Sequence, residues 1–142
     1  MDPLSITAGI LAVLGASGEV AKQVKNLLAL EDAPDELLAL NIEISDLRFV
    51  LHDVEYLLQR QSEESAAHIL LGLTKALQRS RETVLALEKL IAYDLTVINP
   101  ISKKPRIDRS RWLRSVKHLE TYKDRVRRSR LEISAASAIM AA

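Results

Sequence analysis

Apolar residues recur at helical spacing along almost all of the 142-residue chain. In four long segments they step by three and four positions, which is the period of one helix face. This pattern predicts helices from Pro3 to about Leu30, from Pro34 or Asp35 to Gln61, from Glu63 to Tyr93, and from Asp108 into the C-terminal Ala/Ser stretch. No segment alternates convincingly with period two, and Thr96-Val97-Ile98 is interpreted as a helix end.

Each predicted helix carries one apolar stripe that we expect to form the core. The stripe of the second helix is Leu37, Leu40, Ile44, Leu47, Leu51, Val54 and Leu58. The third has Ala66, Leu70, Leu73, Leu77, Val84, Leu87 and Ile91, interrupted by Ser80, and the fourth has Trp112, Val116, Leu119, Tyr122, Val126 and Ile133. Short connections favour antiparallel neighbours. We therefore expect one all-α domain over residues 1–142, an elongated antiparallel bundle of about four long helices.

Composition excludes several kinds of chemistry. The chain has no Cys, which rules out disulfides, thiol nucleophiles and Cys-ligated metals. His52, His68 and His118 are isolated, without the spacing of a metal site. We find neither a phosphate-binding Gly loop nor a Ser in a G-x-S-x-G motif. The sequence therefore predicts no catalytic residues, no metal and no cofactor, and we do not expect an enzyme.

The first helix departs from an ordinary amphipathic pattern. One side carries the expected core residues, but the other side has no charge between Pro3 and Gly18. Three of the four Gly residues of the chain lie in this segment, and each costs about 1 kcal/mol relative to Ala inside a helix. We call this side the small-residue face; its residues are Leu4, Ser5, Ala8, Gly9, Leu11, Ala12, Gly15 and Ala16.

Three interpretations of the small-residue face remain open. The helix is buried on both sides within the bundle, or it inserts into a membrane after a trigger, since ridges of small residues allow close helix approach there. The third, a secretory signal peptide, is disfavoured because Asp2 stands where such peptides carry positive charge. The uncharged run Leu4–Gly18 would span about 22 Å, which is short of the roughly 30 Å hydrocarbon core of a bilayer.

Charge is distributed unevenly along the chain. Residues 1–102 hold 8 Lys/Arg and 15 Asp/Glu, whereas residues 103–142 hold 12 and 4, so the two parts sum to −7 and +8. The residues predicted to project away from the core stripe of the last helix form what we call the basic patch: Arg111, Arg114, Lys117, Arg125 and Arg128. Lys123 and Arg130 fall near the core stripe, where they snorkel or pair with acids.

The basic patch also has three interpretations. The ten acids of Glu31–Glu64 compensate it within the bundle, or it binds anionic lipid. The third, nucleic acid, is not expected because the sequence lacks stacking aromatics beside the patch and a recognition motif.

The opening Met1-Asp2-Pro3-Leu4-Ser5-Ile6-Thr7-Ala8, followed by Ile10-Leu11-Ala12-Val13-Leu14, resembles the start of fungal STAND/NLR-type proteins. In that family it begins the HeLo-like N-terminal domain. The Asp32-Ala33-Pro34 break, the segment Glu43-Ile44-Ser45-Asp46-Leu47 and Trp112 at the head of the last helix also fit. The resemblance covers nearly all 142 residues, and it departs from the family pattern in lacking any downstream receptor module. The chain therefore looks like a domain excised from a larger receptor.

The resemblance implies a function that composition does not. HeLo-like domains are helical bundles that execute regulated fungal cell death, and the four-helix domain of the mixed-lineage kinase-like necroptosis effector shares their architecture. It implies self-association on activation, anionic membrane lipids as partners, and a Gly-rich N-terminal helix that engages the membrane. It also implies a cytoplasmic resting state and a plasma-membrane active state. The alternative is a helix-mediated interaction module that does not disrupt lipid.

Overall fold

In a computed structural model, each apolar stripe becomes the inner face of a helix. The structure describes residues 3–30, 33–60, 67–98 and 100–141. Helix α1 spans Pro3–Leu28, α2 spans Asp35–Arg60, α3 spans Ala67–Lys89 and α4 spans Arg109–Ala141. A π-helical segment, Leu90–Leu95, follows α3. The predicted all-α bundle of four long helices is confirmed; the predicted boundaries Gln61 and Glu63, and the stripe residue Ala66, lie outside the described residues.

The core is one continuous apolar cluster to which every helix contributes. Six of the seven predicted stripe residues of α2, from Leu37 to Val54, are completely buried. In α4, Trp112, Leu119, Val126 and Ile133 are buried. The polar interruption at Ser80 is buried as well, and its hydroxyl donates a hydrogen bond to the Ala76 carbonyl one turn earlier. A polar residue is therefore accommodated in the α3 stripe because the hydroxyl finds an acceptor on its own helix.

The four helices occupy the corners of a square. Helix α1 packs against α2 and α3, and α4 packs against the same two helices, so that α1 lies diagonally opposite α4. Glu43 meets Arg127 and Asp53 meets Ser137, so α2 and α4 run in the same direction. Helix α3 runs antiparallel to α4, because Arg79 pairs with Glu132 in the second half of α4, whereas Tyr93, just after α3, accepts from Arg111 near the start of α4. Chain direction thus alternates from helix to helix, while α2 and α3 occupy the other diagonal.

The connection before α4 is a β-hairpin, and here the sequence interpretation was wrong. Thr96–Ile98 (β1) is not a helix end but a strand, paired antiparallel with Pro105–Ile107 (β2) in the register Thr96↔Ile107 and Ile98↔Pro105. Three residues are too short to show period-two alternation. The β-branched composition of the segment was the available signal.

The hairpin is tied to the start of α4. The amide of Asp108 donates to the Leu95 carbonyl at 3.2 Å. The Asp108 carboxylate then accepts from the amides of Ser110 and Arg111, which is an N-cap for α4. Ile107 packs against the core, so the hairpin is anchored at its base.

A buried carboxylate links α2 to α4. Glu43 is only 7% exposed, and its Oε1 accepts a hydrogen bond from Arg127 Nε at 2.9 Å. Arg130 Nε lies 3.5 Å from the other oxygen, which is an ion pair at the limit of hydrogen bonding. The hydrogen bond and the negative charge of Glu43 raise the pKa of the Arg127 guanidinium above its ordinary value. Glu43 is therefore the shared counter-charge of two arginines of α4.

We expect Glu43→Ala to lower the free energy of unfolding by about 1–3 kcal/mol, because the half-buried guanidinium of Arg130 loses its counter-charge. The matched control is Asp46→Ala, which removes an exposed acid from the same helix and should change stability by less than about 0.5 kcal/mol. Urea unfolding monitored by circular dichroism measures both. Equal stabilities of the two variants would show that the ion pair contributes nothing.

Candidate functional site

The small-residue face of α1 lies on the outside of the bundle. Ala8 and Gly15 are exposed, and the side chain of Leu11 is 54% exposed. Gly9, Ala12 and Ala16 are half-buried. Leu4 and Ser5 belong to α1 by their backbone, but their side chains lie outside the described residues. The interpretation in which α1 is buried on both sides is therefore wrong for the part of the face that the structure describes.

The inner side of α1 explains why the outer side stays uncovered. Ile6, Ile10, Val13 and Leu14 are buried in the core. Because α1 sits at a corner with α2 and α3 as its extensive neighbours, no third helix covers its outer surface within the described parts of the chain. The small-residue face is thus an uncharged surface that meets solvent in the bundle.

An open groove of about 320 Å³ runs along one edge of this face, between α1 and α3. Its α1 wall is formed by Ala8, Gly9 and Ala12, and its α3 wall ends in the polar side chains of Gln78 and Arg81. Small residues on α1 leave this space because they carry no side chain long enough to fill it. In this groove the uncharged face lies beside the cationic side chain of Arg81.

The glycines of α1 do not share one structural reason. At Gly18 an added Cβ would lie 3.0 Å from Arg48 Nη1, so the glycine makes room for that guanidinium. At Gly9 it would make an ordinary 3.6 Å contact with Leu77. At Gly15 it would meet no atom within 4 Å. The fold therefore gives a reason for Gly18 but none for Gly15.

Arg48 connects α2 to α1 at the point where the charge-free segment ends. Its Nη1 donates to the carbonyl oxygen of Leu14 and to Ser17 Oγ, the latter at 3.0 Å. The Ser17 hydroxyl is buried and also donates to the Leu14 carbonyl. A charged donor on a main-chain carbonyl is among the stronger hydrogen bonds, so this contact holds the middle of α1 against α2.

The basic patch is accessible along α4. Arg114, Lys117, Arg125 and Arg128 are exposed, and Arg111 is half-buried. Arg111 is held in place by Asp108 and by the Tyr93 carbonyl, to which its Nη1 donates at 3.3 Å. Arg125 lies over the ring of Tyr122, 5.6 Å from its centroid. The patch is therefore a row of cations that projects from the first two thirds of α4.

Internal compensation of the patch is limited. Within the described part of the chain, Glu43 is the one acid of α2 that forms an ion pair with α4, and its partners Arg127 and Arg130 are not patch residues. As predicted, the two basic residues near the core stripe pair with acids: Arg130 with Glu43, and Lys123 with Glu120 at 2.8 Å. Within the described residues, Glu43 of α2 thus pairs with Arg127 and Arg130, Lys123 pairs within α4, and the five patch residues form no ion pair with α2.

The structure does not bring the two surfaces together. The patch lies on α4, diagonally across the bundle from α1. Arg111 and Arg114 lie beside the hairpin, which contacts α1 and shares a cleft with Pro34, at the end of the bundle where α1 turns into α2. The small-residue face belongs to the opposite end. The two predicted site groups are therefore separate surfaces.

Sequence reasoning missed a second apolar stripe, on the outer face of α2. Its residues, spaced by four and seven positions, are Leu38, Ile42, Phe49 and Tyr56, and all four are more than half exposed. The spacing itself was the signal, since it marks one face of a helix. A second group of exposed apolar residues, at the hairpin end of the bundle, was also not predicted from the sequence: Tyr93, Ile98, Ile101 and Leu113.

Comparisons of the chain with protein-family models, with curated proteins and with solved structures find no match. Over the described residues, none of the helices combines the length and apolar character needed to cross a bilayer. The same residues contain no group of His, Asp or Glu placed to hold a metal ion.

The glycine geometry makes a prediction about stability. Gly15→Ala should stabilise the protein by about 1 kcal/mol, because the methyl group enters open space and Ala is the better helix former. Gly18→Ala is the matched variant: it gains the same helix propensity but presses on Arg48, so its stability should lie below that of Gly15→Ala. Urea unfolding compares the two. Equal stabilisation by both changes would show that Arg48 does not constrain position 18.

Proposed function

We propose that this chain is a membrane-targeting execution domain of regulated cell death, of the HeLo-like type, which acts without catalysis. The observation that carries the proposal is the small-residue face: an exposed helix surface that has no charge over 16 residues and that includes Gly15, for which the fold gives no reason. An uncharged exposed surface of this kind is typical of a site that meets lipid or another helix.

The resting bundle requires a trigger in this proposal. Moving α1 out of the bundle would expose its seven buried apolar side chains, each worth about 1.5–3 kcal/mol: Ile6, Ile10, Val13, Leu14, Val20, Val24 and Leu27. It would also break the contacts of Arg48 with Leu14 and Ser17. Self-association supplies a compensating gain, because several small-residue faces brought together bury one another or meet lipid as a group.

The membrane partner in this proposal is an anionic bilayer. The basic patch contributes about 1 kcal/mol per cation near such a surface. The protein would rest in the cytoplasm and move to the plasma membrane on activation, within a receptor whose other modules sense the trigger. Nucleic acid is not proposed as a partner, because the sequence around the patch carries no nucleic-acid recognition motif.

Dye release from anionic vesicles tests the inserted face. Ala8→Glu and Ala12→Glu should each reduce the release rate at least about tenfold, because a charge on this face must be desolvated on insertion. Ala8 is exposed and Ala12 borders an open groove beside Arg81, so the bundle tolerates both changes. Asn26→Glu, which adds the same charge to the exposed polar part of α1, is the control and should leave release unchanged.

Unchanged release in both Ala variants would rule out the inserted face. The same variants can be followed in fungal cells, where loss of viability should require an uncharged residue at position 8. Point substitutions are preferable to removing residues 1–18, since that deletion also removes Ile6, Ile10 and Val13 from the core.

A second candidate function is a helix-mediated interaction module that leaves lipid intact. The outer stripe of α2 favours it, because four apolar side chains on one exposed line, with Phe49 at 76% exposure, are typical of a protein contact. A comparison of two variants, one on each surface, distinguishes the two candidate functions. Loss of cell death in Phe49→Ser, together with normal activity in Ala8→Glu, would favour the interaction module.

A further inference from the structure

The hairpin end of the bundle carries a protruding group of apolar side chains. Ile98 closes β1 and is 71% exposed, and Ile101 in the following turn is 93% exposed. Tyr93, on the π-helical segment just before β1, is 74% exposed. Aliphatic side chains this exposed at the tip of a hairpin contribute little to the core. Their position therefore points to a partner outside the chain.

Cations surround these apolar tips. Residues 93–114 contain six Lys/Arg against two acids, Asp94 and Asp108. Asp108 is engaged as the N-cap of α4, where it accepts from the Ser110 and Arg111 amides. The exposed cations at this end are Lys103, Lys104, Arg106, Arg109 and Arg114. The hairpin end thus combines apolar tips with an excess of positive charge.

The backbone of the turn supports a role for its charge. Lys103 adopts a left-handed conformation, with φ of 55°. Gly or Asn would occupy such a position at lower conformational cost than Lys. The fold alone would favour one of those residues, and a lysine side chain at the turn therefore indicates a use for its ammonium group.

We propose that the hairpin end, comprising Tyr93, Ile98, Ile101, Lys103, Lys104 and Arg106, is an interfacial docking surface for an anionic lipid bilayer. Apolar side chains with cations beside them match the boundary between acyl chains and anionic headgroups. Ile98 and Ile101 project from a narrow hairpin, so they can enter lipid without the complementary concave surface that a protein partner needs. Nucleic acid would use the cations but has no use for exposed isoleucines.

This surface goes beyond the proposed function, and insertion of α1 is not required for it. It lies at the end of the bundle remote from the small-residue face, so docking and membrane disruption are separate properties of the molecule. They can therefore succeed or fail independently in the same experiment.

Vesicle sedimentation of the 142-residue chain tests the proposal, with phosphatidylcholine vesicles that contain or lack phosphatidylserine. Ile98→Ser combined with Ile101→Ser should weaken binding to the phosphatidylserine vesicles at least about tenfold. Both side chains are exposed, so thermal unfolding should not change. Lys103→Glu combined with Lys104→Glu is the second variant and should weaken binding similarly and reduce its dependence on salt.

Two controls separate this surface from the others. Phe49→Ser removes an equally exposed apolar side chain from α2 and should leave vesicle binding unchanged. Ala8→Glu should bind vesicles normally while failing to release dye, so a failure of the α1 proposal would not be mistaken for a failure of docking.

Normal binding by the Ile98/Ile101 variant would overturn the proposal, as would equal binding of the unmodified chain to both kinds of vesicle or to neither. Binding of an oligonucleotide that requires Lys103 and Lys104 but not the isoleucines would also overturn it, in favour of a nucleic-acid surface.

Discussion

Helix α1 is held in the bundle by one face only, and the proposed function depends on this constraint. Its inner residues, among them Ile10 and Val13, are completely buried. Arg48 adds a charged hydrogen bond to the main chain at Leu14. The corner position leaves the opposite face open, and that face carries no charge until residue 19. The first half of α1 is therefore packed on one side and uncharged on the other, and the proposed move of α1 from the bundle to a membrane depends on that combination.

The separation of the surfaces constrains how they would work together. About 20 residues of α1 lie between Ala8 and the hairpin end, which corresponds to roughly 30 Å along the bundle. If the hairpin end meets a flat bilayer, the small-residue face is held well away from that bilayer in the resting bundle. Docking would therefore come first, and insertion would require α1 to leave its place or neighbouring copies to bring their faces together.

The helices and the core could be predicted from the sequence, because the apolar stripes of α2 and α4 repeat every three or four residues, which is the spacing of one helix face. The sequence also placed Arg130 and Lys123 at the core edge, where both pair with acids. It did not reveal the square arrangement, since short connections fix chain direction but not which helices share the long contacts. Glu43 could not be selected from ten acids, because its partner lies 84 residues away in the chain.

The hairpin and the outer stripe of α2 were missed for different reasons. Strands of three residues show no alternation, so Thr96–Ile98 resembled a helix end. The α2 stripe is present in the sequence at residues 38, 42, 49 and 56, but spacing alone does not show whether a second stripe on a helix is buried or exposed. Both features are exposed apolar surfaces. They can be recognised as candidate contact sites only once the structure shows which side of each element packs against the core.

The environment of Gly15 before and after membrane contact is the most direct test of the central claim. The chain has no Cys, so Gly15→Cys provides a single attachment point for an environment-sensitive fluorophore, at a site with open space around it. Asn26→Cys is the reference on the polar part of the same helix. Our account predicts a water-like emission at both sites in buffer, and a blue shift at position 15 but not at position 26 when anionic vesicles are added under conditions of dye release. A water-like emission at position 15 throughout dye release would contradict it.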